Sequence, residues 1–296
     1  MVTKVRATNS ATGLDRACIE ALAYSDVFDF PLTSAEVWRA LPVAATPSEV
    51  EAALAQSRTI ERKGGYFTLW GRGQLAGVRE RRARTSVELW PRARRYGGLI
   101  AALPFVRMVA VTGALAVDNS EAGDDVDFMI VTKPGRVWLA RAMTMAVVRM
   151  AALRGLTLCP NFMLGEDALA LSDRSLYTAH ELAQVVPLAG FGVYARMMRA
   201  NEWYRERLPN AAPAARGPDG RPRLMQSVGE RLLGGRMGNW LEGSIMRRKA
   251  AELRLEAGDN AEAVFDASMC KGHVDAHGRR TEAALVERLA RLEALT

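Results

Sequence analysis

The first apolar rhythm along the chain is helical. In "LDRACIEALAYSD", Leu14, Cys18, Ala21 and Leu22 recur at helical spacing and share one face. "PLTSAEVWRAL" then opens a second helix, with Thr33 as N-cap and Glu36 at the third position, the spacing of a capping box. "TPSEVEAALAQ" repeats the device with Thr46, Pro47 and Glu49. The period changes at "RTIER" and "GYFTLW", two β-patterned segments joined by "KGG", whose glycines suit a hairpin turn. Three helices and a hairpin over residues 1–72 resemble a winged helix, which implies DNA binding through the third helix. That helix carries Glu49 and Glu51 and no Lys or Arg before Arg58, so packing or protein contact is the preferred role.

Residues 73–98 form an arginine-rich connector expected to be helical, its charge run expected to be a solvated face. Residues 99–208 change character. "FVRMVAVTG" is a short apolar run ended by Gly113, hence a strand, and "DVDFMIVT" is a second. A long helix follows from about Arg136 to Arg154, then the apolar segment "LTLCPNFML", then "SLYTAHELAQVVPLAG", expected as a helix beside the sheet. In "GFGVYARMMRANEWYRERLPN", Val193, Met197, Met198, Trp203 and Tyr204 are expected in the core. The Pro- and Gly-rich stretch 209–223 is expected to be a loop, and the remainder of 209–296 a helical C-terminal region.

Composition adds limits. A chain of 296 residues, 49% hydrophobic and 25% charged, can bury a substantial core and is expected to be a soluble globular protein. The longest apolar candidate, "WLARAMTMAVVRMAALRG", is interrupted by three arginines, and the N-terminus lacks a signal-peptide core, so no membrane and a cytoplasmic location are expected. Cys18, Cys159 and Cys270 are odd in number and form no C-x-x-C pair, which argues against a disulfide framework or a zinc site and for buried thiols. His273 and His277 are four apart but lack the glutamate of a zinc-protease helix. An ordinary loop is expected there, with a phosphate contact by Lys271 and His273 as the alternative. The net charge of +7 suggests anionic partners only weakly; nucleic acid is possible on this ground, and the oligomeric state is left open.

The chemistry lies in "DVDFMIVT". On a strand, alternate side chains share a face, so Asp125 and Asp127 project to the same side. Two carboxylates that close repel and resist desolvation unless a cation sits between them, and Mg²⁺ suits them as a hard ion bound by carboxylates and phosphate oxygens.

The order "VAVTGALA", a loop, then "DVDFMIV" resembles the nucleotidyltransferase superfamily typified by DNA polymerase β, in its minimal and antibiotic nucleotidyltransferase branches. The resemblance covers about residues 92–165. It implies an α/β (α+β) fold with a small mixed-sheet core. It also implies that Asp125 and Asp127 hold Mg²⁺, that Gly113 lets the backbone approach a nucleoside triphosphate (NTP), and that Lys133 offers a cation to the phosphates. The serine expected after the glycine is Ala114, and the third carboxylate position falls at Asn161, which cannot take a proton. Glu166, Asp167 and Glu181 are substitute carboxylates, Glu181 foremost because some antibiotic nucleotidyltransferases place a glutamate base on such a helix. The implied activity is Mg²⁺-dependent transfer of a nucleoside monophosphate from an NTP to a small-molecule acceptor, less readily to protein or RNA. The alternative is a catalytically silent nucleotide-binding regulator that uses the winged helix for DNA or protein contact.

Overall fold

A computed structural model of the protein describes residues 3–214, 217, 224–272 and 277–294. The N-terminal helices are α1 (Thr3–Asp26), α2 (Ser34–Ala40) and α3 (Pro47–Gln56). Both capping boxes form: Thr33 and Thr46 accept from the backbone of Glu36 and Glu49, whose carboxylates bond back to the cap backbones. Strands β1 (Ile60–Lys63) and β2 (Tyr66–Leu69) pair antiparallel across Gly64 and Gly65, both at positive φ as the two-residue turn requires. The fourth helix, α4 (Leu75–Ala101), is the arginine-rich connector.

Then come β3 (Val106–Val111), the single turn α5 (Gly113–Ala116), β4 (Val126–Thr132), α6 (Val137–Ala152), β5 (Leu158–Gly165) and α7 (Leu176–Gln184). After them lie β6 (Val186–Ala189), α8 (Phe191–Ala200), α9 (Tyr204–Arg207), α10 (Leu224–Leu233) and α11 (Arg236–Ala257). The chain ends with β7 (Val264–Phe265), β8 (Met269–Lys271) and α12 (His277–Glu293). Among the described residues no helix is long and apolar enough to cross a membrane.

The larger sheet is mixed, in the order β6-β3-β4-β5-β8-β7, and only the β4–β5 pair is parallel. α6 supplies the crossover that a parallel pair needs. Both faces are covered, and the alternation of β4 divides accordingly. Val126, Phe128 and Ile130 face a core shared with α4, α6 and α11, whereas Met129 and Val131 face a second core with α7 and α8. Val193, Met197, Met198, Trp203 and Tyr204 belong to that second core, as their spacing predicts.

Two departures concern the sheet's edges. The helical pattern expected through residue 189 stops at Gln184, because Val185 and Val186 precede Pro187, which disfavours helix at the residue before it; the segment instead pairs with β3. The C-terminal region is not helical throughout, since β7 and β8 extend the sheet along β5. Strands of two and three residues are too short to show a period.

The C-terminal helices are fixed by inward-turned acids. Buried Glu242 of α11 accepts the backbone N–H groups of Trp138 and Leu139 at 2.9 and 2.7 Å, satisfying donors at the N-terminus of α6. Glu230 of α10 accepts from the Phe105 backbone and from Arg107. At the other end of the chain, Asp26 accepts from Arg72 and Arg288, both at 2.8 Å, and Leu285 of α12 enters the core of the N-terminal module. Replacing Glu242 by Ala orphans two buried amides and is expected to cost about 2–4 kcal/mol of stability, read as a lower midpoint in urea; an unchanged midpoint would contradict this account.

Candidate functional site

β3 and β4 are antiparallel neighbours, so the end of β3 lies beside the start of β4, and the Thr112 N–H donates to the Asp127 carbonyl at 3.1 Å. The chain then turns at Gly113, with φ +65. A Cβ at this position would lie 2.3 Å from Asp127 Oδ2, so the turn requires glycine for both its backbone angle and the carboxylate against it. Ala114 follows in the single turn of α5, its carbonyl accepting the Asn119 N–H at 2.8 Å. In the loop that leads back to β4, Asp124 accepts the Glu121 N–H at 2.7 Å, which gives that carboxylate a structural task. Asp125 is exposed and Asp127 half-buried.

β5 completes the arrangement through an irregular register. Asp127 pairs with Cys159 and Met129 with Phe162, so two steps along β4 face three along β5. The extra residue is a bulge next to Pro160, and bulges re-aim side chains. Asn161 reaches back to donate from Nδ2 to Asp127 Oδ1 at 2.7 Å. The Cys159 thiol stands beside Asp125 and Asp127, and ligand atoms of these three residues lie within 4.8 Å of one another.

Electrostatics set this cluster apart. Burial, with the charges of Asp125 and Glu181, pushes the Asp127 carboxyl up to about 8, although the neighbouring Cys159 thiol opposes the shift. Burial and the same two aspartates push the Cys159 thiol up to about 12. Glu181, on α7 over the Asp127 face of the sheet, is raised to about 7 by burial, with the positive charge of Lys271 opposing. Burial and the charges of Glu181 and Asp127 raise Tyr177, one turn earlier on α7, which keeps its hydroxyl protonated. Lys271 of β8 lies over the Phe162 ring, 5.5 Å from its centroid.

Gly113, Ala114, Asp125, Asp127, Asn161 and Glu181 thus meet around the start of β4. Lys133 does not. It follows the opposite end of β4, six residues beyond Asp127 or about 20 Å along a strand, and its charge acts on Glu230 instead. Glu166 and Asp167 lie at that far end too, Glu166 paired with Arg107 and Arg196. His273 falls outside the described residues, so the histidine pair and a Lys271–His273 phosphate contact do too. Cys159, expected as a buried thiol, is half-buried and stands in the cluster, as Tyr177 stands near it. The sequence signal for Cys159 was its place two residues before Asn161 on an apolar strand. Comparison of the chain with protein-family models, with curated proteins and with solved structures finds no match.

Because the Asp127 carboxyl titrates higher folded than unfolded, its contribution to stability is present at low pH and is lost as pH rises towards 8. Asp127→Asn is therefore expected to raise the melting temperature of metal-free protein, by roughly 2–5 °C at pH 8.5, with the gain shrinking towards pH 5. A variant less stable than wild type at pH 8.5 would refute this.

Proposed function

We propose that the chain is a divalent-metal-dependent nucleotidyltransferase that moves a nucleoside monophosphate from an NTP to a small-molecule acceptor. The observation that carries the proposal is the convergence of Asp125 and Asp127 at the start of a central strand, against the Gly113 turn, with Glu181 above them. A strand, a glycine turn and a D-x-D strand, on whose order the sequence resemblance rests, are followed here by β5, which pairs parallel with β4.

The donor set suits a divalent cation: two carboxylates with oxygens close together, one exposed and one whose ionisation is disfavoured by burial and by neighbouring negative charge. Asp125 and Asp127 would hold Mg²⁺, which when bound neutralises charge developing on the transferred phosphoryl group. Asn161 fixes Asp127 by donating to Oδ1, so the position where a third carboxylate is expected serves orientation. Glu181, ionising near neutral pH, takes the proton of the acceptor hydroxyl as that oxygen attacks the α-phosphorus and pyrophosphate leaves. The protonated Tyr177 hydroxyl offers a donor, and Lys271 a cation, on the same side of the sheet.

The test is thermal unfolding with each of the four NTPs, with and without Mg²⁺, followed by mass spectrometry of the mixtures. One nucleotide at about a hundred times its dissociation constant is expected to add roughly 2.7 kcal/mol of stability only with Mg²⁺. Asp125→Asn and Asp127→Asn are expected to abolish both stabilisation and product. Stabilisation without product would favour a silent nucleotide-binding regulator, and no stabilisation would remove the proposal.

Activity is expected to rise with pH through about 7 as Glu181 ionises, and Glu181→Gln to lose roughly 100-fold or more in rate together with that limb. An unchanged pH profile in Glu181→Gln would exclude it as the base.

A further inference from the structure

The cluster contains a donor that a magnesium centre does not call for. Of the three cysteines, Cys18 and Cys270 are buried in hydrophobic cores, as structural thiols are. Cys159 belongs to neither core. It is half-buried, and the bulged register sets it opposite Asp127, with its sulfur and oxygens of both aspartates within 4.8 Å of one another. Pro160 stiffens the bulge on one side of it, and Asn161 pins Asp127 Oδ1 on the other. An apolar strand that needed only packing at residue 159 would gain nothing by aiming a thiol at two carboxylates.

We propose that Cys159 is the third protein ligand of this centre, which therefore takes a thiophilic divalent cation of the zinc or cobalt class in preference to Mg²⁺. The inference rests on the assignment of Asp125 and Asp127 as metal ligands. Two carboxylate oxygens and one sulfur leave a fourth position of a tetrahedral site open, the arrangement of metal centres that also bind water or substrate. Sulfur is a poor donor to magnesium and a good one to zinc, cobalt or cadmium. On binding, the thiol gives its proton to solvent and the thiolate electron pair forms the sulfur–metal bond. With Mg²⁺ the thiol stays protonated, and only oxygens bind. Zinc would then compete with magnesium for the same two aspartates.

The experiment is titration of reduced, metal-free protein with Co²⁺, followed by absorption spectroscopy for the sulfur-to-metal charge-transfer band, with Zn²⁺ and Mg²⁺ as competitors. The expected result is a band that saturates at one Co²⁺ per chain, collapses with equimolar Zn²⁺ and survives a large excess of Mg²⁺. Cys159→Ser is expected to abolish the band and weaken Co²⁺ binding about tenfold or more. Asp125→Asn, a change at an exposed residue that the fold tolerates, is expected to weaken it as well. No band in wild type, a band that persists in Cys159→Ser, or equal displacement by Mg²⁺ would overturn the proposal. The two readings fail separately. Mg²⁺-dependent nucleotide stabilisation without a cobalt band leaves the nucleotidyltransferase and removes the thiolate, whereas a cobalt band without any nucleotide effect does the reverse.

Discussion

The carboxylate of Asp127 is pressed against the Gly113 turn, on a central strand, beside a second aspartate and beneath a glutamate. Nothing local makes that position comfortable. Burial and like charge both disfavour ionisation, and the partners at hand are an amide and a thiol. Such a feature persists only where the surrounding structure over-determines it, and the surroundings here are the two cores that clamp β3, β4 and β5 from either face. The turn cannot move away because β3 and β4 are paired along their length, and Asp127 cannot rotate freely because Asn161 holds Oδ1. The fold supplies rigidity so that the site can keep an unfavourable charge arrangement.

Much of that rigidity comes from late in the chain. Glu242 and Glu230 reach from α11 and α10 to amides at the start of α6 and before β3, and β8 adds a strand to β5 directly beside the bulge. The Gly272 N–H donates to the Asn161 carbonyl at 3.1 Å, so the C-terminal region touches the strand that orients Asp127. Its helices act as buttresses whose acids are spent on backbone donors and on Arg107.

The strands and the D-x-D spacing were legible because a two-residue period fixes which side chains share a face, whatever the partner strand. So were the caps of α2 and α3 and the glycine turns, whose chemistry is local. The helix that carries Glu181 was legible through its spacing. The place of Cys159 was not, because it depends on which residue of β4 the thiol opposes, and a bulge at Pro160 decides that. Lys133 stands apart from the carboxylates for a geometric reason. A strand that begins at the carboxylates carries its last residue across the whole sheet, so nearness in sequence became distance in space. β6 was lost to a helical pattern that Pro187 interrupts.

The same logic governs the positive charge. A net charge of +7 invites a nucleic-acid partner, but many of the arginines are tied to the protein itself. Arg79 is buried over the Phe30 ring and paired with Glu36; Arg82 bonds Glu121, Asn119 and the Phe28 carbonyl; Arg92 reaches the carbonyls of Arg154 and Gly155. Arg72 and Arg288 converge on Asp26, joining the N-terminal module to α12. The third helix, where a DNA reader would place its cations, caps its own start with Glu49 and turns Glu51 towards Ser34. Arginine here is largely a docking residue: its planar fork satisfies carboxylates and carbonyls between elements that share no strand. These pairs hold the elements together, and Asp125 and Asp127, at the start of β4, take part in none of them.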